Sequence, residues 1–223
     1  MMPFSGGIEA TANAALLLSI AAAVLTLFQA EREPSLRRSA VKTLAVALLA
    51  VISSVEHGPL LLTGALVLSA AGDAFLSRIG ERAFLAGLGS FLAAHVLYIL
   101  LFAMSGGGAG MLFSDLWRPV LAVAMVLLAA AMATLLLPRV EHALKMPIAV
   151  YVAAILAMGL AALTTQSLAV IAGAILFMVS DGILATERFL TAGTSPVRLP
   201  MRYAVWITYY AAQLLIALGI LLG

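Results

Sequence analysis

The chain alternates between long apolar runs and short polar segments along its whole length. A helix that crosses the hydrocarbon core of a bilayer needs roughly 20 apolar residues, and about 17 are tolerable. Eight runs approach or meet this length, and the second is the shortest. The pattern predicts helices over residues 10–30, 40–55, 59–77, 82–104, 118–137, 146–164, 167–187 and 202–222.

Composition places these helices in a membrane. Of the 223 residues, 64% are hydrophobic and only 10% are charged, whereas soluble domains carry about a quarter charged residues. The predicted fold is therefore an all-α polytopic membrane bundle of eight transmembrane helices, one domain over residues 1–223. The first run lacks a preceding basic segment and is long enough to span, so we expect a retained helix instead of a cleaved signal.

The positive charges predict the orientation. With eight helices, eleven of the 12 lysines and arginines fall at one end of the bundle. These are Arg32, Arg37, Arg38, Lys42, Arg78, Arg82, Arg139, Lys145, Arg188, Arg198 and Arg202, and only Arg118 falls at the other end. Because basic loops face the cytoplasm, we expect an inner-membrane protein with both termini in the periplasm. The net charge of +2 is too small to indicate a nucleic-acid partner.

Two of the apolar runs carry an aspartate in a similar context. The segments are GDAFLSR, with Asp73, and SDGILATER, with Asp181, and the aspartates are 108 residues apart. Lys42 and Lys145 are offset by a similar distance. This similarity predicts two parallel four-helix repeats, over residues 10–104 and 118–222, related by an axis along the membrane normal. Such an axis would let the two aspartates face each other.

The aspartates are expected to lie inside the hydrocarbon region. A charge there costs about 2.5–3.5 kcal/mol on insertion scales, so it usually marks a site or a partner. Asp73 lies about 7 Å of helix inside Arg78, and Asp181 lies at a similar depth relative to Arg188. We therefore expect a cavity that opens to the cytoplasm, with the aspartates near its mouth. Other polar residues at compatible depths are His95, Tyr98, Tyr151, Tyr209 and Gln213.

Two carboxyl groups in an apolar cavity suit acid–base chemistry. Burial favours the protonated form of a carboxyl group, and a second carboxylate nearby favours it further. One group can then act as a general acid and the other as a general base. This arrangement suits hydrolysis of an ether through an oxocarbenium-like cation. The sequence contains no G-x-S-x-G or H-E-x-x-H motif and no cysteine, so we expect no metal and no cofactor.

Structural interpretations of the same residues are open as well. An intramembrane aspartate can pair with an arginine or cap a helix, and His95 can join two helices by a hydrogen bond. Tyr98, Tyr151 and Tyr210 can be packing aromatics, and Gln213 an interhelical contact. Parallel repeats with intramembrane carboxylates also suit a proton-coupled transporter or lipid flippase. A lipid-binding sensor without chemistry is a third class.

Four segments together resemble one protein family. GDAFL, FLAAHVLY, LFMVSDGILA and YYAAQLLIALG occur in this order on the predicted helices. They are similar to the YhhN family of multi-pass membrane proteins, the lysoplasmalogenases, and the resemblance extends from Lys42 to the end of the chain. It implies hydrolysis of the vinyl ether bond of lysoplasmalogens to a fatty aldehyde and glycerophosphoethanolamine or glycerophosphocholine. The implied partners are a lysophospholipid substrate and membrane lipids.

The resemblance also implies which residues form the site. Asp73 and Asp181 would be the catalytic pair, and the sequence does not distinguish which of them donates the proton. Lys42, Arg78 and Arg188 at the cytoplasmic rim are expected to meet the phosphate. The remaining residues expected to bind substrate are His95, Tyr98, Tyr151, Ser180, Tyr209, Tyr210 and Gln213. Nothing in the sequence indicates an oligomeric state.

Overall fold

The computed structural model describes residues 2–29 and 35–223, and its helices confirm the predicted all-α membrane bundle. Seven helices within these ranges are long and apolar enough to cross a membrane, and the remaining one, α3, has 17 residues. Arg32 lies outside the described residues. The helices are α1 Thr11–Phe28, α2 Leu36–Val55, α3 Leu60–Leu76, α4 Glu81–Ser105, α5 Trp117–Leu136, α6 His142–Ala162, α7 Leu168–Phe189 and α8 Arg198–Leu221, with a short 3₁₀ helix, Ala109–Phe113, before α5.

Three helices begin four residues earlier than the apolar runs predicted. Helix α2 begins at Leu36 instead of residue 40, because the side chain of Ser35 accepts a hydrogen bond from the backbone N–H of Arg38 and caps the first turn. Helix α6 begins at His142 instead of residue 146, and α8 begins at Arg198 instead of residue 202. In each case the first turn carries a lysine or an arginine, which ends an apolar run although it continues a helix.

Six helices form a closed ring, and two lie outside it. Going round the ring, each helix packs against the next in the order α2, α3, α4, α6, α7, α8 and back to α2. Helix α1 packs outside α2 and α8, and α5 packs outside α6 and α7. The contact of α3 with α4 recurs as α7 with α8, and that of α2 with α8 recurs as α6 with α4. This recurrence is what a duplication would produce, and the two repeats stay a prediction.

The ring differs between its two halves. Helices α2 and α3 pack against each other extensively, whereas the corresponding pair α6 and α7 makes fewer contacts. Helix α5 contacts both α6 and α7 and so covers the space between them. The second half of the bundle is therefore looser around its aspartate than the first.

Small residues bring α4 close to α3 beside Asp73. A Cβ atom on Gly72 would lie 2.6 Å from the ring of Phe91, and one on Gly87 would lie 2.6 Å from Leu76. The Ser90 hydroxyl donates a 2.7 Å hydrogen bond to the carbonyl oxygen of Leu68. These contacts place Phe91 against Tyr209 of α8, with ring centroids 5.7 Å apart, and so fix the wall next to Asp73.

Arg118, which the sequence places at the end of the bundle opposite the other basic residues, connects two segments of the chain. It is 4% exposed, and its guanidinium donates to the carbonyl oxygens of Leu163 and Thr165 and pairs with Asp115. The side chain thereby joins the start of α5 to the turn between α6 and α7.

Replacing Arg118 with methionine should therefore destabilise the bundle. Two buried carbonyl groups would lose their donor, and each unsatisfied group costs about 1–3 kcal/mol. We expect a lower melting temperature in detergent, measured by thermal unfolding. Arg139→Met is the matched control, because Arg139 is exposed and, within the described part of the chain, donates only to the carbonyl oxygen of Leu135, at the nearby end of α5. Equal melting temperatures for the two variants would show that Arg118 does not hold the two segments together.

Candidate functional site

A cavity of about 750 Å³ enters the bundle from the basic end. Residues of the turn between α3 and α4, including Arg78 and Gly80, line its mouth, together with Arg198 and Arg202 from the start of α8. Asp73 and Asp181 both line its wall. The two similar segments thus bring two carboxyl groups to one cavity from two different helices.

Asp73 is held by a cation and a hydroxyl group. Its side chain is 1% exposed. The ammonium nitrogen of Lys42 lies 2.8 Å from Oδ1, and the Tyr209 hydroxyl donates a 2.8 Å hydrogen bond to Oδ2. Lys42 also lies 5.4 Å from the ring centroid of Trp206. Lys42 therefore lies within the site, at the carboxylate, where it neutralises the negative charge of Asp73.

Asp181 has a hydroxyl partner and, among the described residues, no ion pair. The Tyr151 hydroxyl donates a 2.6 Å hydrogen bond to its Oδ2. No lysine or arginine within residues 2–29 and 35–223 forms an ion pair with this carboxyl group. Asp181 is also more open to the cavity than Asp73, since it is partly exposed.

The two aspartates therefore differ in charge compensation. Lys42 precedes Asp73 by 31 residues, and Tyr151 precedes Asp181 by 30, so the second and sixth helices supply their partners from similar places. One partner is a cation and the other a neutral hydroxyl. Because an uncompensated charge is costly in an apolar interior, the arrangement favours an ionised Asp73 and leaves Asp181 able to carry a proton. Lys145, which the sequence matched to Lys42, is exposed and does not line the cavity.

Three of the predicted site residues lie behind the cavity wall. His95, Tyr98 and Gln213 are fully buried and do not line the cavity. The Tyr98 hydroxyl donates a 2.5 Å hydrogen bond to Oε1 of Gln213. The His95 ring lies edge-on to Tyr151, with centroids 5.2 Å apart. This layer supports Tyr151 and Tyr209 from the side away from the cavity.

The imidazole of His95 is short of polar partners. Neither ring nitrogen makes a hydrogen bond of standard geometry with the part of the chain that the structure describes. The backbone of Phe91, one helical turn earlier, is close to the ring but does not meet those criteria. The ring packs against Phe177 as well, at 4.9 Å between centroids. His95 thus acts here as a packing residue beside the Tyr151–Asp181 pair.

Ser180 and Tyr210 join helices. Ser180 lines the cavity, and its hydroxyl donates a 3.0 Å hydrogen bond to the carbonyl oxygen of Val205, which links α7 to α8. Tyr210 points away from the cavity: its hydroxyl lies 2.8 Å from that of Ser19 on α1, and its ring stacks on Trp206. The structure therefore does not bring Tyr210 to the aspartates.

The mouth of the cavity carries more charged side chains than the sequence predicted. Arg78 and Arg188 line it as expected, and the Arg188 guanidinium lies 4.9 Å from the ring centroid of Phe84. Glu187 pairs with Arg198 at 2.9 Å and with Arg202 at 3.2 Å. Arg198 and Arg202 are four residues apart on α8 and share a face. The spacing of Arg198 and Arg202 could have indicated a shared position at the mouth. The predicted eighth helix began only at residue 202, so Arg198 was not assigned to it.

Comparisons with known proteins agree with this picture. The model of the YhhN family matches residues 37–220. The lysoplasmalogenase TMEM86B of Homo sapiens is 39% identical over 165 residues, which cover 72% of this chain and 63% of that protein. The lysoplasmalogenase of Mycobacterium tuberculosis is 31% identical over 196 residues, 86% of this chain and 71% of that protein. The chain thus spans less than two thirds of the length of the human relative. No solved structure matches it.

The Lys42–Asp73 ion pair should be visible as an energetic coupling. Lys42→Met leaves the Asp73 carboxylate without its cation, so we expect the free energy of unfolding to fall by about 2 kcal/mol or more. The double variant Lys42→Met/Asp73→Asn removes both charges and should recover much of that loss. Unfolding of the wild type, both single variants and the double variant in mixed micelles measures the coupling. Additive losses would show that the two side chains do not interact.

Proposed function

The chain belongs to the YhhN family, and on this premise we propose that it hydrolyses the vinyl ether bond of lysoplasmalogens. The products are a fatty aldehyde and a glycerophosphoethanolamine or glycerophosphocholine. The observation that carries the proposal is the unequal pair of carboxyl groups on one cavity. Asp73 pairs with a lysine, and Asp181 has no cation as partner within the part of the chain that the structure describes. The relatives named lysoplasmalogenase support it.

Asp181 is proposed as the proton donor. A vinyl ether is activated when a proton adds to its β-carbon, which turns the α-carbon and the ether oxygen into an oxocarbenium ion. Asp181 can hold this proton because it has no cationic partner in residues 2–29 and 35–223. Tyr151 fixes one of its oxygens so that the other can face the substrate. Proton transfer leaves Asp181 as a carboxylate, whose negative charge offsets that of the cation.

Asp73 is proposed as the base that activates water. Lys42 and Tyr209 keep its carboxylate ionised and oriented. As water attacks the α-carbon, Asp73 takes up one of its protons and a hemiacetal forms. Asp181 then removes the hemiacetal hydroxyl proton while Asp73 returns its proton to the departing glycerol oxygen. The aldehyde and the alcohol leave, and both aspartates regain their starting states.

The polar mouth is proposed to bind the head group. Arg78 and Arg188 are exposed at the mouth, where a phosphate entering from the interface would meet them. Glu187 pairs with both Arg198 and Arg202 and offsets one of their two positive charges. Arg78 and Arg188 have no carboxylate partner among the described residues, which makes them the better candidates for the phosphate. We place the protein in the cell inner membrane, with the mouth facing the cytoplasm and both termini in the periplasm, since the mouth lies at the basic end.

The geometry gives less support to the rival transporter. Transporters built from repeats typically bind substrate where helices are interrupted at mid-membrane. Here α3 and α7 continue without a break past Asp73 and Asp181, although Gly72 and Gly182 adjoin them. The cavity also opens at the basic end, as an enzyme that draws lipid from one leaflet requires.

Removing either carboxyl group should abolish turnover. We expect Asp73→Asn and Asp181→Asn to lose at least about 100-fold in kcat, because each removes a general acid or base. Tyr151→Phe should lose about tenfold, since Asp181 stays present but less well oriented. Aldehyde release from a vinyl ether lysolipid by the purified protein provides the measurement. Glu56→Gln, an exposed acid at the end of α2, is the control. Near-wild-type turnover in either aspartate variant would reject the mechanism.

The arginines of the mouth should affect substrates that carry a phosphate. Arg78→Gln and Arg188→Gln are each expected to raise KM for a lysoplasmalogen by about fivefold, the range of an exposed charge pair. KM for the corresponding alkenyl glycerol, which lacks the phosphate, should not change. Arg139→Gln is the matched control at the same end of the bundle, since Arg139 does not line the cavity. Equal effects on both substrates would rule out phosphate binding by these residues.

A further inference from the structure

The cavity wall next to Asp181 is lined by apolar side chains, and we call the space along them the apolar branch. Between α6 and α7, where the helices make few contacts, α5 covers the opening, and its residues Leu128, Ala129 and Met132 line the cavity. Met132 follows Ala129 by three residues and Leu128 by four, so it lies on the same side of the helix as both of them. A helix outside the ring thus supplies part of the cavity wall.

Helices α6 and α7 contribute matching apolar rows to this branch. On α6 the lining residue Ile155 lies one turn beyond Tyr151, and on α7 Met178 lies one turn before Asp181. Because α6 and α7 run in opposite directions, Ile155 and Met178 both lie on the side of the Tyr151–Asp181 hydrogen bond that is farther from the mouth. The polar pair therefore stands at the entrance of the apolar branch.

Two methionines close the deep end of the branch. A Cβ atom on Gly159 would lie 2.6 Å from the sulfur of Met178 and 3.2 Å from that of Met125. Gly159 is buried, so both side chains pack tightly over it. The bundle is therefore closely packed beyond Met178, at the deep end of the branch.

We propose that this branch, lined by Leu128, Ala129, Met132, Ile155 and Met178 and called here the tail lobe, binds the hydrocarbon chain of a single-chain lipid and limits its length. The inference rests on the proposed function and specifies the substrate of that site. The arrangement orients the lipid: with the phosphate at the mouth and the chain in the tail lobe, the bond between them lies beside Asp181. The first half offers no equivalent space, because α2 and α3 pack closely against each other. Lys42 also occupies the position beside Asp73 that corresponds to Tyr151 beside Asp181, and its ammonium group disfavours a hydrocarbon chain next to it.

Filling the tail lobe should change which chain length is preferred. Each buried methylene group contributes about fourfold to affinity. Ala129 is buried and lines the lobe, so Ala129→Phe should lower kcat/KM for a hexadecenyl lysolipid much more than for an octenyl one. We expect the ratio of the two values to fall at least about tenfold. Ala130→Phe, the neighbouring exposed position outside the lobe, should leave the ratio unchanged.

Deepening the lobe provides the reverse test and does not depend on a bulky side chain. Leu128→Ala and Met178→Ala each remove side-chain volume from the wall. They should shift the preferred substrate from the hexadecenyl towards the icosenyl lysolipid. An unchanged chain-length profile in these variants and in Ala129→Phe, with hydrolysis intact, would overturn the tail lobe and leave the proposed activity standing.

Binding can be tested separately from catalysis. A hexadecyl ether lysolipid with a diazirine at its terminal carbon labels whatever residues surround the end of the chain, and it needs no hydrolysis. We expect labelling of peptides containing Leu128, Ile155 or Met178, reduced by Ala129→Phe and not by Ala130→Phe. Such labelling with no aldehyde release from any vinyl ether lysolipid would refute the proposed activity alone. Labelling confined to residues outside the lobe would overturn the tail lobe.

Discussion

A carboxylate inside an apolar bundle needs a partner, and the rest of this structure depends on how Asp73 meets that need. Lys42 comes from α2 and Tyr209 from α8, so satisfying one carboxylate on α3 holds together three helices. Two of these belong to the first half of the chain and one to the second. The ion pair joins α2 to α3 within the first half, and the Tyr209 hydrogen bond joins α3 to α8 and so links the two halves where the ring of six helices closes. The Tyr151 hydroxyl and Asp181 make a link without a cation between α6 and α7, where the helices make fewer contacts.

Most of the fold could be predicted from the lengths of the apolar runs. In a membrane the backbone must satisfy its own hydrogen bonds, so an apolar run of sufficient length has little choice but to be a helix. The errors arose where a helix extends into polar sequence, at the starts of α2, α6 and α8. A hydropathy pattern measures how far a segment is apolar, and the basic side chains of these first turns lie at the interface, where the helix continues beyond the hydrocarbon. The ring order of the helices depends on contacts between distant segments and could not be read from the pattern.

The similar depth of Asp73 and Asp181 on one cavity could be predicted, because the rise per residue of a helix fixes how far each lies from the basic residue at its helix end. Their partners could not be predicted in the same way. Lys42 was expected at the rim with Arg78, yet its long side chain reaches across to Asp73, and sequence spacing carries no information about reach between helices. His95, Tyr98 and Gln213 were placed at a suitable depth, but depth does not say which face of a helix points to the cavity. The carboxylate of Glu187 pairs with two arginines at the start of the next helix and not with its sequence neighbour Arg188.

The short length of α3 has a consequence for the surrounding lipid. Its 17 residues span about 25 Å, several ångströms less than the roughly 30 Å hydrocarbon core of an average bilayer. A segment that is too short is accommodated by local thinning of the bilayer around it. The leaflet boundary should therefore dip towards the helix that carries Asp73, and the glycerol level of nearby lipids would be drawn inward. A lysolipid at this spot would have less distance to travel out of the leaflet before its ether bond reached the carboxyl groups.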